Sequence, residues 1–179
     1  GNCKSYIIDV TEPDQWAQAM DDFGLLSEHQ LNALVNCAGV TFGGQFADTE
    51  LLDLHRMIEI NLTGTVNGIY AAIPQMQQTK GACIVNIGSG AFAGFASLSA
   101  YGSSKGGVFS LTRALAAEGA SLGVKVNAVN PGAFTRMVAA QQEARSSMYR
   151  YAQQNLPAEL VSPVIAYLAH QDCPVTGEC

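Results

Sequence analysis

The sequence predicts an α/β fold, a parallel sheet covered by helices on both faces. Three observations carry that expectation. Short apolar runs alternate along the chain with longer segments whose apolar residues recur at helical spacing. The apolar runs are rich in Val and Ile and read as strands buried on both sides, as parallel sheets require. The length of 179 residues, with 48% apolar and 13% charged residues, suits one well-buried domain over residues 1–179.

The elements follow in order. Tyr6–Val10 reads as a first strand. Thr11, Glu12, Pro13 and Asp14 open a helix, with Thr11 as cap and Pro13 in the first turn. Its apolar residues are Trp16, Ala19, Met20 and Phe23, and Gly24 marks its end. Leu31–Asn36 is a second strand, followed by a loop from Cys37 to Gly44. A short helix at Thr49–His55 precedes a longer one from Arg56 to Gln78, with Met57, Ile60, Val66, Ile69 and Ile73 as its buried stripe. Ala82–Ile87 is a third strand. The helix carrying Tyr101 extends to Leu122 with Val108, Leu111, Ala114, Leu115 and Glu118 at helical spacing. Gly106 and Gly107 weaken that helix but suit close packing against a neighbour or a cofactor. Gly123–Asn130 is a fourth strand, stopped by Pro131 and Gly132. Ala133–Asn155 has helical tendency without a strong apolar stripe, the pattern of a lid, and Pro157–His170 is a last helix. Crossovers in such a sheet are right-handed.

Composition excludes several function classes. Nine basic against 15 acidic residues, a formal charge of −6, leave no basic patch for nucleic acid. No apolar run is long enough to cross a membrane, and Gly1–Ser5 lacks the apolar centre of a signal peptide. Cys3, Cys37, Cys83, Cys173 and Cys179 form no C-x-x-C pair and no metal-like cluster with the histidines, so they read as buried reduced thiols of a cytoplasmic protein, and no metal is expected. His29, His55 and His170 read as surface or helix-end residues.

The chemistry concentrates around Ser89, Tyr101 and Lys105. Tyr101 and Lys105 are four apart, so a helix projects both from one face. A cation beside a phenol favours the phenolate. Ser89 follows the third strand at once, where active-site groups of parallel sheets lie, and its hydroxyl both donates and accepts. The three together are able to polarise a carbonyl and hand it a proton. The plainer reading is a tyrosine and a lysine one turn apart on a half-exposed helix.

With these pieces placed, the chain resembles the short-chain dehydrogenase/reductase family over nearly its whole length. Asn36-Cys37-Ala38-Gly39 is similar to the family's N-N-A-G, with cysteine in place of the second asparagine. Asn61, Ser89, Tyr101 and Lys105 match the catalytic tetrad, Asn127–Gly132 the N-x-V-x-P-G segment, and Asp9-Val10 the pair that touches adenine. Thr135 matches the threonine that meets the nicotinamide carboxamide. The resemblance implies a Rossmann-like, doubly wound three-layer α/β/α fold that binds NAD or NADP, with NAD favoured, through Asp9, Val10, Asn36, Ala38, Gly39, Tyr101, Lys105, Pro131, Gly132 and Thr135. Tyr101 would be the acid and base, Lys105 would hold the ribose, Ser89 would hold the substrate oxygen, and Asn61 would hold a water through its backbone. Each has a structural alternative: Asn61 satisfying a helix irregularity, Asn36 fixing the backbone between strands, Asp9 capping the next turn, Thr135 capping a lid helix. The resemblance also implies a homodimer or tetramer through the two long helices, and a small carbonyl or alcohol substrate. The segment Pro131–Met137 and the C-terminal residues from Leu156 are similar to the dehydrogenase domain of peroxisomal-type multifunctional enzymes and their bacterial relatives. That implies 3-hydroxyacyl-CoA or hydroxysteroid substrates, and a peroxisomal location in a eukaryote.

Two departures stand out. Ser89 and Tyr101 are 12 apart (101 − 89), one fewer than in many relatives. The family's glycine-rich first strand, its second strand and its last strand have no counterpart, which leaves Tyr6–Val10 without ladder partners and points to a fragment of a longer protein. The alternative is a truncated, non-catalytic dimerisation module.

Overall fold

The computed structural model describes residues 3–28, 30–141 and 146–179. Three strands, β1 (Ala33–Asn36), β2 (Cys83–Ile87) and β3 (Lys125–Val129), form one parallel sheet in the order β1-β2-β3. Leu34 pairs with Ile84 and Ile84 with Val126, while Val35, Val85 and Asn127 form the next row. Because side chains alternate along a strand, these rows face opposite sides.

The first row lies in the main core. Ile84 and Val126 are each 1% exposed, and they pack with Ile69, Ala72 and Met76 of α3 (Gly64–Met76). Trp16, Met20 and Phe23 of α1 (Pro13–Ser27) and Leu111 and Leu115 of α4 (Ser99–Leu122) close this side. On the opposite face Val85 packs under Leu168 of α7 (Ser162–Leu168) and Cys173. The fold is thus a Rossmann-like sheet with helices on both sides. Val35 is 41% exposed, and α7 packs chiefly over β2 and β3.

Several boundaries differ from the sequence expectation. Tyr6–Val10 is not a strand: among the described residues no neighbouring strand offers it a ladder, and Ile7 is fully exposed. The segment is held by its end instead, where the Val10 carbonyl accepts from Trp16 Nε1 (3.0 Å) and Asn67 Nδ2 (3.1 Å). Thr11 does not cap α1; Glu12 occupies that position, and Thr11 bonds to Asp9. The helix passes Gly24 to end at Ser27, with Glu28 in the left-handed conformation (φ 54°). The two helices expected at 49–78 join end to end: α2 (Leu51–Ile58), a wide π turn (Glu59–Thr63) and α3. Val66, expected in the buried stripe, is 42% exposed, and Glu118 of α4 is exposed too.

The last strands and helices are shorter than expected. Pro157–His170 contains a short 3-10 turn at Ala158–Leu160 before α7. The lid segment contains α5 (Arg136–Gln141) and α6 (Ser147–Asn155), while its residues 142–145, like His29, lie outside the described residues. His55 and His170 are exposed near helix ends. Of the cysteines only Cys83 and Cys173 are buried; Cys3, Cys37 and Cys179 are exposed, and all five are free thiols. No helix among the described residues is long and apolar enough to cross a membrane.

Candidate active site

Beyond the carboxyl ends of the strands lies a cleft of about 700 Å³. Ser89, Tyr101, Lys105, Gly39, Pro131 and Thr135 all line it. A smaller pocket of about 140 Å³ adjoins it and is lined by Val10, Asn36 and Ala38, among others. Cys37 lines both spaces. Asp9, Gly132 and Asn61 line neither.

Each side chain has a local cause for its position. Ser89 leaves β2 in an extended conformation (φ −167°), and its Oγ accepts from Ala91 N at 3.2 Å. That bond uses a lone pair and leaves the hydroxyl proton for another acceptor. Tyr101 sits in the first turn of α4 and is half-buried, while Lys105 follows one turn later with only 5% exposure. The Lys105 ammonium lies 5.9 Å from the Tyr101 ring centroid and donates to the Ile87 carbonyl at 2.6 Å. Burial holds its pKa below the usual lysine value, with the nearby Cys37 acting in the opposite direction.

Asn61 is fully buried in the π turn. Its Oδ1 accepts from Val40 N (2.8 Å), and its Nδ2 donates to Val40 O (2.9 Å) and to Ser104 Oγ (3.0 Å). Ser104 Oγ in turn donates to the Tyr101 carbonyl at 2.7 Å. Asn61 therefore clamps the loop after β1 to the first turn of α4. Its own carbonyl accepts from Thr65 Oγ1 at 2.8 Å. Gly39 is bare for a reason: a methyl there would lie 3.1 Å from Asn61 Oδ1 and 3.8 Å from Lys105 Nζ. Gly107 has a similar cause, since a methyl would meet Leu62 at 2.6 Å.

The structural alternatives also have geometry behind them. Asn36 Nδ2 donates to Asn86 Oδ1 at 2.9 Å across the β1–β2 register, and Asn86 Nδ2 donates to Thr112 Oγ1 at 3.0 Å. Asp9 caps its turn, accepting from the Thr11 N–H and hydroxyl, and those bonds hold its carboxyl below the ordinary value. Asn127 bonds the C-terminal segment through Val175 O and Glu178 N. Thr135 Oγ1 accepts from Val138 N at 3.4 Å, a weak cap on α5.

Sequence reasoning missed Ser104 and Asn67, whose partners Asn61 and Val10 are distant in sequence, and the wall of the cleft. Phe95, Leu98, Met137, Val161 and Ile165 contribute to that wall. Buried-polar character at Ser104, one turn from Tyr101, was the only sequence signal available.

A family model described as short chain dehydrogenase matches residues 2–146. The chain belongs to the short-chain dehydrogenase family. It is 35% identical over 126 residues to 3-alpha-(or 20-beta)-hydroxysteroid dehydrogenase of Mycobacterium tuberculosis (strain ATCC 25618 / H37Rv), covering 70% of this chain and 48% of that protein. It is 37% identical over 130 residues to trans-4-hydroxycyclohexanecarboxylate dehydrogenase of Sinomonas cyclohexanicum, covering 70% and 48%. Among solved structures, ElxO with NADP bound superposes with a TM-score of 0.84 at 30% identity, over 97% of this chain and 73% of that one. The chain spans about half the length of these two curated relatives. These are hydroxysteroid and alcohol dehydrogenases, so the narrower likeness to peroxisomal-type multifunctional enzymes is not what the comparisons bring out.

Proposed function

We propose that this short-chain dehydrogenase chain carries the catalytic half of an oxidoreductase moving hydride between NAD or NADP and a secondary alcohol or its carbonyl. The observation that carries the reading is the convergence of Ser89, Tyr101 and Lys105 on one cleft whose other walls are mostly apolar. The volume, about 700 Å³, is in the range of ligand sites. The bare floor at Gly39 and the buried ammonium of Lys105 fit a nicotinamide riboside.

A bound nicotinamide supplies or accepts the hydride at the substrate carbon. The chain's own residues manage the oxygen and its proton. Ser89 donates its free O–H to the substrate oxygen as negative charge develops there. In reduction Tyr101 gives the phenolic proton to that oxygen, and in oxidation the phenolate takes the alcohol proton. Lys105 keeps two N–H donors beyond its bond to Ile87 O, available to ribose hydroxyls, and its charge favours the phenolate. Asn61 orients this set by holding the Val40 loop and, through Ser104, the backbone of Tyr101. Val10, Asn36 and Ala38 border the smaller pocket, which suits the adenine end, with Asp9 next to Val10 in the chain. Pro131 and Thr135 line the large cleft, with Gly132 between them in sequence, and so belong to the nicotinamide end.

The apolar walls favour an alcohol with a compact hydrocarbon body, such as a cyclic alcohol or hydroxysteroid, over a polar one. A 3-hydroxyacyl-CoA is the second substrate to assay. The exposed face of α3 is proposed to meet a second copy of the chain. In the full-length protein, Tyr101→Phe is expected to lower turnover at least a hundredfold while nicotinamide binding persists. Retained turnover in that variant would remove Tyr101 from the acid role and with it the mechanism.

A further inference from the structure

We propose that Arg136 receives a carboxylate at the end of the substrate remote from the reacting carbon. The inference rests on the redox reading of the cleft and names its substrate class: hydroxy acids with a compact apolar body.

The lining charges point this way. The chain carries 15 acidic and nine basic residues, yet no acidic residue is among the described residues lining the cleft. Among the described residues, the charged side chains that line it are Lys105 and Arg136, both cationic. Their situations differ. Lys105 is buried at the chemical end and bonded to Ile87 O. Arg136 is the exposed first residue of α5, beyond Thr135, and makes no hydrogen bond or ion pair with the described residues. The same cleft is lined by the apolar side chains of Phe95, Leu98, Met137, Val161 and Ile165.

A neutral alcohol filling this space leaves the guanidinium idle. A hydroxy acid uses all three regions: its hydroxyl at Ser89 and Tyr101, its hydrocarbon on the wall, its carboxylate at Arg136. The planar fork of an arginine takes a carboxylate through two parallel N–H bonds. The apolar wall lowers the local dielectric and strengthens that pairing relative to open water. The absence of a competing acidic residue among the described lining residues keeps the cation available.

The test compares 4-hydroxycyclohexanecarboxylate with its neutral primary amide, which has nearly the same shape. Binding of each to the full-length protein is measured calorimetrically, with NAD(H) affinity measured separately. The wild type is expected to bind the acid about tenfold or more tighter than the amide, the worth of one charge-assisted bidentate bond. Arg136→Ala should bring the acid to the level of the amide, Arg136→Lys should fall between, and NAD(H) affinity should not move. Arg136 is exposed, so folding is not at stake in either variant. Equal binding of acid and amide by the wild type overturns the proposal. So does an acid preference that survives Arg136→Ala, or a loss of NAD(H) affinity of the same size, which would assign the guanidinium to the cofactor diphosphate. Failure of the redox reading registers elsewhere, as turnover that survives Tyr101→Phe, a variant that should keep the acid preference in binding.

Discussion

Replacing Asn61 by alanine tests the clamp at the centre of the site. The side chain is fully buried and makes three hydrogen bonds, two to the Val40 backbone and one to Ser104 Oγ. Truncation leaves the Val40 N–H and C=O without partners, whereas Ser104 keeps its bond to the Tyr101 carbonyl. A buried polar group left unsatisfied costs about 1–3 kcal/mol. Val40 is half-buried, so water reaches part of the gap, and a total of about 3 kcal/mol is expected. Urea unfolding monitored by circular dichroism reads this as a lower midpoint at unchanged slope. The same experiment on Ser104→Ala and on the double variant isolates the Asn61–Ser104 bond, with a coupling of about 0.5–1.5 kcal/mol. A loss below about 1 kcal/mol for Asn61→Ala, or strict additivity in the cycle, would refute the clamp and leave Asn61 as a filler of the wide turn.

Other outcomes follow from the same geometry. Burial depresses the Lys105 pKa below its unfolded value near 10.5, so between the two values the unfolded chain binds more protons and stability rises with pH. Below the depressed value the penalty is present in full; a Lys105→Met variant should lack this alkaline gain, and parallel pH profiles for the two proteins would contradict it. Gly107→Ala should cost about 1–3 kcal/mol by driving a methyl into Leu62, whereas Gly106→Ala, which meets open space, should stabilise by about 0.5–1 kcal/mol. Thermal unfolding of both variants reads the contrast, and equal effects would mean that the α4 packing is wrong. Tyr70, 82% exposed, and Val66, 42% exposed, lie one turn apart on α3. If that face meets a second copy, Tyr70→Glu shifts sedimentation toward monomer, and unchanged association would place the interface elsewhere.

Local pattern made much of this legible. The runs around Leu34, Ile84 and Val126 became β1, β2 and β3 because each sends an apolar side chain into the main core and pairs with its neighbour in the sheet. Ser89, Tyr101 and Lys105 were readable because a strand end and a helical spacing of four are sequence-local facts. Tyr6–Val10 failed as a strand for the opposite reason: a strand needs a partner, and β-propensity alone supplies no ladder. Periodicity also failed across Glu59–Thr63, where the wide turn shifts the helical phase and sends Val66 outward. Ser104, Asn67 and Arg136 gain their meaning only from residues brought close by the fold.

That phase shift also sets the tolerance of the segment to length change. An α-helix advances about 100° per residue, so the additional residue of a π turn rotates everything after it by roughly that angle. Deleting one residue from Glu59–Thr63 would restore regular hydrogen bonding yet swing Ile69, Ala72 and Met76 off the sheet and carry Asn61 away from Val40. Here the irregular backbone is the aligned one, and a length variant that looks more helical would be the misfit.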